Sequence, residues 1–236
     1  FNVQETERKF LSKLLIYFIN PFMIITSFNK PFDPEKFKQL IFVVFISLIV
    51  HLVMILLGFF ASKDKIERLS VFLTNCGFVG IPLIRGVFGE EGVFFLMGYL
   101  VIFNISVWTY AYYQIGGSIK ISKILLNPNI IAIAIGLIIY CCPFTVSAIL
   151  MTPVSMIGDL NTAVSMILIG ILLADLRIEQ VRKYTWNIVK TMFFRLIATG
   201  LLNIAVMFVV YKFFAFVPDA RLLIFVVLIL SFCPVA

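Results

Sequence analysis

Charge is what this chain has least of. Asp, Glu, Lys and Arg make up 13% of its 236 residues, where a soluble domain carries about a quarter. The apolar–polar alternation that a transmembrane β-barrel needs over segments of roughly ten residues is also missing. Stretches such as 39–61 and 188–211 are apolar almost without interruption. Histidine occurs once, as His51, and no close acid pair lies within an apolar span. Paired-carboxylate, His-cluster metal and Ser–His chemistry therefore have no constellation to build on, and no enzyme activity and no cofactor are expected. Cysteine is confined to Cys76, Cys141, Cys142 and Cys233, in or beside apolar spans and without paired ligand spacing. Adjacent Cys141 and Cys142 make a poor disulfide, and all four read as small hydrophobes. The opening FNVQETERKF has neither the basic start nor the cleavage site of a signal peptide.

What the chain does have is hydrocarbon: 62% hydrophobic residues and a mean hydropathy of +1.10. Runs of this length cross a hydrocarbon core of about 30 Å at about 1.5 Å per residue. The expected class is an all-α polytopic membrane protein. Helices are expected at 11–28, 37–60, 69–87, 92–115, 128–141, 154–174 and 186–213, with an incomplete one at 221–236. Asn127 followed by Pro128 reads as an N-cap and first helical position. The net charge of +7 comes with no aromatic-interleaved basic motif, so no nucleic-acid partner is expected. Lys and Arg sit instead in short connections, twelve on one side against six on the other. That bias puts the N-terminal edge of the sequence in the cytoplasm of a multi-pass cell-membrane protein.

Two places break the hydrocarbon pattern. NCGFVGIP, residues 75–82, puts Asn75, Gly77, Gly80 and Pro82 within the third span. With Leu69 at the membrane edge, Asn75 lies about 9 Å and Pro82 about 20 Å along it, near mid-membrane. Proline costs a helix hydrogen bond and glycine permits unwinding, so a half-helix is expected to begin near Ile81–Pro82. Exposed backbone groups there must face protein or water. SFCPVA sets Pro234 at a similar depth, about 20 Å beyond Arg221. Spans 92–115, 128–141, 154–174 and 186–213 intervene, so the two interrupted helices run antiparallel. Opposed discontinuous helices are the best sequence pointer to a secondary transporter's binding site.

The chain resembles the auxin efflux carrier family, which includes plant PIN-formed auxin carriers and bacterial malate permease-like transporters. The resemblance is carried by LSKLLIYFINPFMI (11–24), NCGFVGIPLIRGVFGEEG (75–92), FNISVWTY (103–110), LLNPNIIAIAIGL (125–137), MILIGILLA (166–174) and the terminal CPVA. It implies an NhaA-like fold of ten helices in two inverted five-helix repeats with two crossed broken helices. This sequence would then be a fragment lacking the first helix and the end of the chain. By the same resemblance, 11–28 and 128–174 are scaffold helices, which typically form a homodimer, and 37–115 and 186–236 are transport helices. The short connection 116–127 favours a bacterial-type carrier. Where relatives often carry a scaffold-helix proline, this chain has Ala163.

The expected function is alternating-access transport of an organic acid anion, a malate-like carboxylate or an auxin-like acid, across the lipid bilayer. A cation-coupled antiporter of the same general fold and a membrane receptor are the rival readings. The expected binding residues are Asn75, Cys76, Gly77, Gly80, Ile81, Pro82, Cys233 and Pro234. Half-helix amides and the positive end of the helix dipole would cradle a carboxylate there without a permanent cation. His51 and Arg195 are the intramembrane ionisable candidates. His51 has no identifiable acidic partner for a proton relay. Arg195, about 14 Å inside its helix, either snorkels, pairs with another group, or attracts an anionic substrate. Asn20–Pro21 marks a kink, and Asp159 and Asn161 read as polarity near the start of their span.

Overall fold

A helix satisfies its own backbone, so it is the element a chain this apolar can form in lipid. The computed structural model describes residues 4–117, 121–143, 145–174 and 184–235. The basic connection 176–183 and Lys120 lie outside them. Among the described residues all regular structure is helical. Five helices among the described residues are long and apolar enough to cross a membrane, and two shorter apolar helices accompany them. The chain is an all-α polytopic membrane protein. Its helices cluster into two compact units, 1–34 with 121–176, and 35–120 with 177–236.

The first unit contains α1 (Glu5–Phe28), α5 (Ile121–Leu125), α6 (Pro128–Cys141) and α7 (Ala148–Ala174). Helix α1 widens to a π turn at Leu15–Ile19 immediately before Asn20–Pro21. The wide turn removes the clash between the proline ring and the preceding turn without ending the helix. Asn127 caps α6 as expected, its Oδ1 accepting from the amides of Asn129 at 2.8 Å and Ile130 at 3.3 Å. Helix α7 begins at Ala148 rather than 154, with Pro153 inside its early turns. Asn161 is consequently mid-helix and fully buried, not near the start of its span. Its Nδ2 donates to Asn20 Oδ1 at 2.6 Å, a polar tie between α7 and the kinked point of α1. Close approach is possible because a Cβ on Gly158 would lie 2.8 Å from Met23 Cα.

The second unit contains α2 (Pro34–Ala61), α3 (Lys65–Phe72), α4 (Ile81–Ser106), α8 (Thr185–Phe214) and α9 (Ala220–Phe232). Within α4 the chain turns at Gly89, whose φ of 63° and ψ of −158° are open to glycine and almost nothing else. This is the connection expected between the spans 69–87 and 92–115. Lys36–Glu91 at 2.7 Å and Arg85–Glu90 at 2.8 Å secure its surroundings. His51, on α2, is buried beside Phe72, Tyr99 and Phe103, with ring centroids 4.7 Å apart for Tyr99. Its Nδ1 lies 2.7 Å from the Ser47 carbonyl. A carbonyl can only accept, so Nδ1 carries a proton, and the buried Nε2 has no hydrogen-bond partner among the described residues.

Candidate functional site at the helix crossing

The interruption between α3 and α4 spans Leu73 to Asn75, where Leu73 takes ψ 116° and Asn75 φ −81°, ψ 52°. Helical structure resumes at Cys76 as a π turn, Cys76–Gly80, and continues without a gap into α4. The expectation of a half-helix starting near Ile81–Pro82 is thus corrected. Pro82 sits at the second position of the α-helical segment, and the wide turn before it absorbs the missing N–H, as in α1. What begins the half-helix is Asn75. Its Oδ1 accepts from the Phe78 amide at 3.1 Å, an N-cap in the middle of a membrane span. The amides of Cys76 and Gly77 and the Nδ2 of Asn75 donate to no other residue among those described. They form a small group of donors at the positive end of a helix.

The second interruption closes on the first. Helix α9 ends at Phe232, and Cys233 is extended (ψ 144°) because a proline follows it. The Asn75 amide donates to the carbonyl of Pro234 at 2.8 Å. Thus a backbone donor freed in one interrupted helix is satisfied by an acceptor freed in the other. Gly80 permits the approach: a Cβ there would lie 2.6 Å from Leu230 Cδ2 and 3.5 Å from Cys233 Sγ. Gly77 has open space on its Cβ side. Of the expected residues, Cys76, Gly80, Ile81 and Cys233 are buried, Asn75, Gly77 and Pro82 half-buried, and Pro234 exposed. Gly77 and Gly80 are helical here, so their service is space, not unwinding.

Sequence reasoning did not reach the partners of Arg195. This side chain is 2% exposed and lies in the π turn Phe193–Ala198 of α8. Its Nη1 donates to the Val71 carbonyl at 3.1 Å and its Nη2 to the Cys233 carbonyl at 2.6 Å. Both acceptors belong to carbonyl ends of interrupted helices, where the helix dipole is negative. The signal available in the sequence was the depth of the arginine in its span. Thr74, in the first interruption, reaches Tyr99 Oη at 3.4 Å. An open cavity of about 630 Å³ runs from Asp64 and Glu67, at the first turn of α3, to Arg195 and Pro234.

Two overlapping stretches, residues 2–122 and 117–228, match the family model described as membrane transport protein. No curated protein and no solved structure gives a significant match. A multi-pass helical chain with two interrupted helices joined through their backbones, matched along nearly all its length, belongs to the membrane transport proteins of the auxin efflux carrier family.

Proposed function

We propose that this protein is a secondary carrier that moves an organic acid anion across the membrane by alternating access, with the helix crossing as its binding site. The observation that carries the proposal is the Asn75 amide bonded to the Pro234 carbonyl at 2.8 Å. It ties two interrupted helices together, and the side-chain amide of Asn75 and the backbone amides of Cys76 and Gly77, which donate to no other described residue, stand beside it. Donors of this kind suit a carboxylate: they stabilise negative charge through fixed dipoles without a large desolvation cost.

In this reading the unit 35–120 with 177–236 is the moving transport domain, and the unit 1–34 with 121–176 the scaffold and homodimer surface. Their separate compactness supports the division. Cys76, Gly80, Ile81 and Cys233 pack the crossing, Pro82 and Pro234 shape the chain around it, and Gly77 leaves room for the ligand. The N-terminal edge of the sequence faces the cytoplasm, in keeping with the basic connections. The carrier belongs to an inverted-repeat arrangement in which motion about a fixed site exposes it to each face in turn.

The test is transport by the full-length protein in liposomes, read as substrate-induced current and as exchange of labelled acid, with malate as first probe. Saturable current or saturable exchange, weakened by Asn75→Ala, is the expected result. Absence of both for malate and other carboxylates, with protein correctly inserted, overturns the proposal.

A further inference from the structure

We infer that Arg195 sets the sign of charge accepted at the helix crossing, making it an anion site where the helix ends alone would make a cation site. The inference rests on the carrier reading above and names its specificity-determining residue.

The electrostatics of the crossing come from the groups described. Two helix carbonyl ends, those of α3 and α9, meet one helix amide end, that of Cys76. With about half a charge at each end, the crossing without Arg195 is negative by about half a charge, and with Arg195 it is positive by about the same. The arginine therefore inverts the local field. The acids that line the same cavity do not undo this. Asp64 is exposed at the N-cap of α3, where its charge is screened, at the opposite end of the helix from Val71. Its Oδ1 accepts from the amides of Ile66 at 2.9 Å and Glu67 at 3.0 Å. Glu67 Oε2 is paired with Lys190 Nζ at 2.9 Å.

Geometry supports direct recognition as well. Two edges of the guanidinium are used by the Val71 and Cys233 carbonyls, which hold the planar group in place. Its Nε, by contrast, is buried with no hydrogen-bond partner among the described residues. The side chain lines the 630 Å³ cavity together with Ser70, Asn187 and Thr191, whose polar groups suit a ligand with more than one oxygen. A positive side chain that lines the cavity and keeps a donor unused among the described residues suits a carboxylate ligand. Because Cys233 and Pro234 are consecutive, the carbonyl held by Arg195 adjoins the one held by the Asn75 amide. The arginine and the Asn75 amide thus hold neighbouring carbonyls of the same interruption, and Pro234 lines the cavity beside Arg195.

The experiment measures binding of labelled malate, and its competition by the neutral malate diamide, to the full-length protein purified in detergent. Wild type is expected to favour malate over diamide by at least tenfold. Arg195→Gln should weaken malate by about ten- to hundredfold, the range for a hydrogen bond to a charged group, and bring the malate-to-diamide ratio close to one. Arg195→Lys keeps the charge and should keep the preference for malate. A general structural fault would weaken both probes together and leave their ratio unchanged. A monodisperse Arg195→Gln protein with the wild-type ratio overturns the inference while leaving the carrier reading standing. Should the glutamine variant aggregate, Arg195→Lys decides: a folded lysine variant without charge preference overturns the inference. A wild type that neither binds nor transports any carboxylate overturns the carrier reading and this inference together.

Discussion

Asn75 makes two contributions that a pair of substitutions separates. Its Oδ1 caps the half-helix by accepting from the Phe78 amide at 3.1 Å, and its Nδ2 donates to no other described residue and is the proposed ligand donor. Asn75→Ala removes both. Loss of the cap costs about 1 kcal/mol of stability, and loss of one donor to a carboxylate costs about 1.5–3 kcal/mol of binding, roughly ten- to hundredfold. Asn75→Asp retains the capping oxygen and places negative charge at a helix N-terminus, so stability should stay within about 1 kcal/mol of wild type. Binding should suffer far more. The donor becomes an acceptor, and two carboxylates about 4 Å apart repel by about 4 kcal/mol at an effective dielectric constant near 20. A loss of about a thousandfold or more is expected, since each decade corresponds to about 1.4 kcal/mol. The Asn75 backbone amide, which joins the two interruptions, is untouched in both variants. Thermal unfolding in detergent reads the first effect and labelled-malate binding the second. An aspartate variant that unfolds like wild type and binds malate within about threefold of it would refute the placement of the ligand at this half-helix, because the like-charge repulsion alone exceeds that margin.

Gly89→Ala should cost about 1–3 kcal/mol in thermal unfolding, because φ 63° with ψ −158° suits only glycine. Asn at the same position, although tolerant of ordinary left-handed backbone, should give no rescue. Asn20→Leu leaves the buried Nδ2 of Asn161 without its acceptor and should cost about 1–3 kcal/mol, while the double variant Asn20→Leu/Asn161→Leu should recover part of that loss in the same assay. His51→Phe should leave the pH profile of transport unchanged and cost about 1 kcal/mol of stability, since the ring packs among aromatics and its one hydrogen bond goes to a carbonyl of its own helix. A displaced profile would give His51 a place in proton coupling.

The parts of this protein legible in its sequence are those decided by hydrocarbon thickness and local chain chemistry. Apolar length placed the spans, GEEG placed the turn at Gly89, and Asn127–Pro128 placed the start of α6. Errors fell where proline was read as an end. The half-helix expected to begin near Ile81–Pro82 begins at Cys76, and α7, expected from 154, begins at Ala148 and carries Pro153 in its early turns. Arg195 was visible as a charge in a span, but its partners were not. The carbonyls of Val71 and Cys233 are backbone groups, and any residue could supply them.

The proline signal has a physical lesson in two places. In α1 and at the crossing, a π turn, Leu15–Ile19 or Cys76–Gly80, is followed by a proline at the second position of the next α-helical segment. A wider turn moves the earlier carbonyl away from the ring and leaves no i−4 bond to be lost, so a helix can run through the proline. Interruption then needs another cause. At the crossing that cause is an acceptor side chain competing for the first amides, from Asn75, together with an outside acceptor for its own amide, from Pro234. Asn20 also precedes its proline, but its side chain accepts from Asn161 instead of capping its own helix, and α1 remains continuous. The same Asn and Pro residue types therefore give a kink in one helix and a break in another, according to where the asparagine oxygen finds its donor.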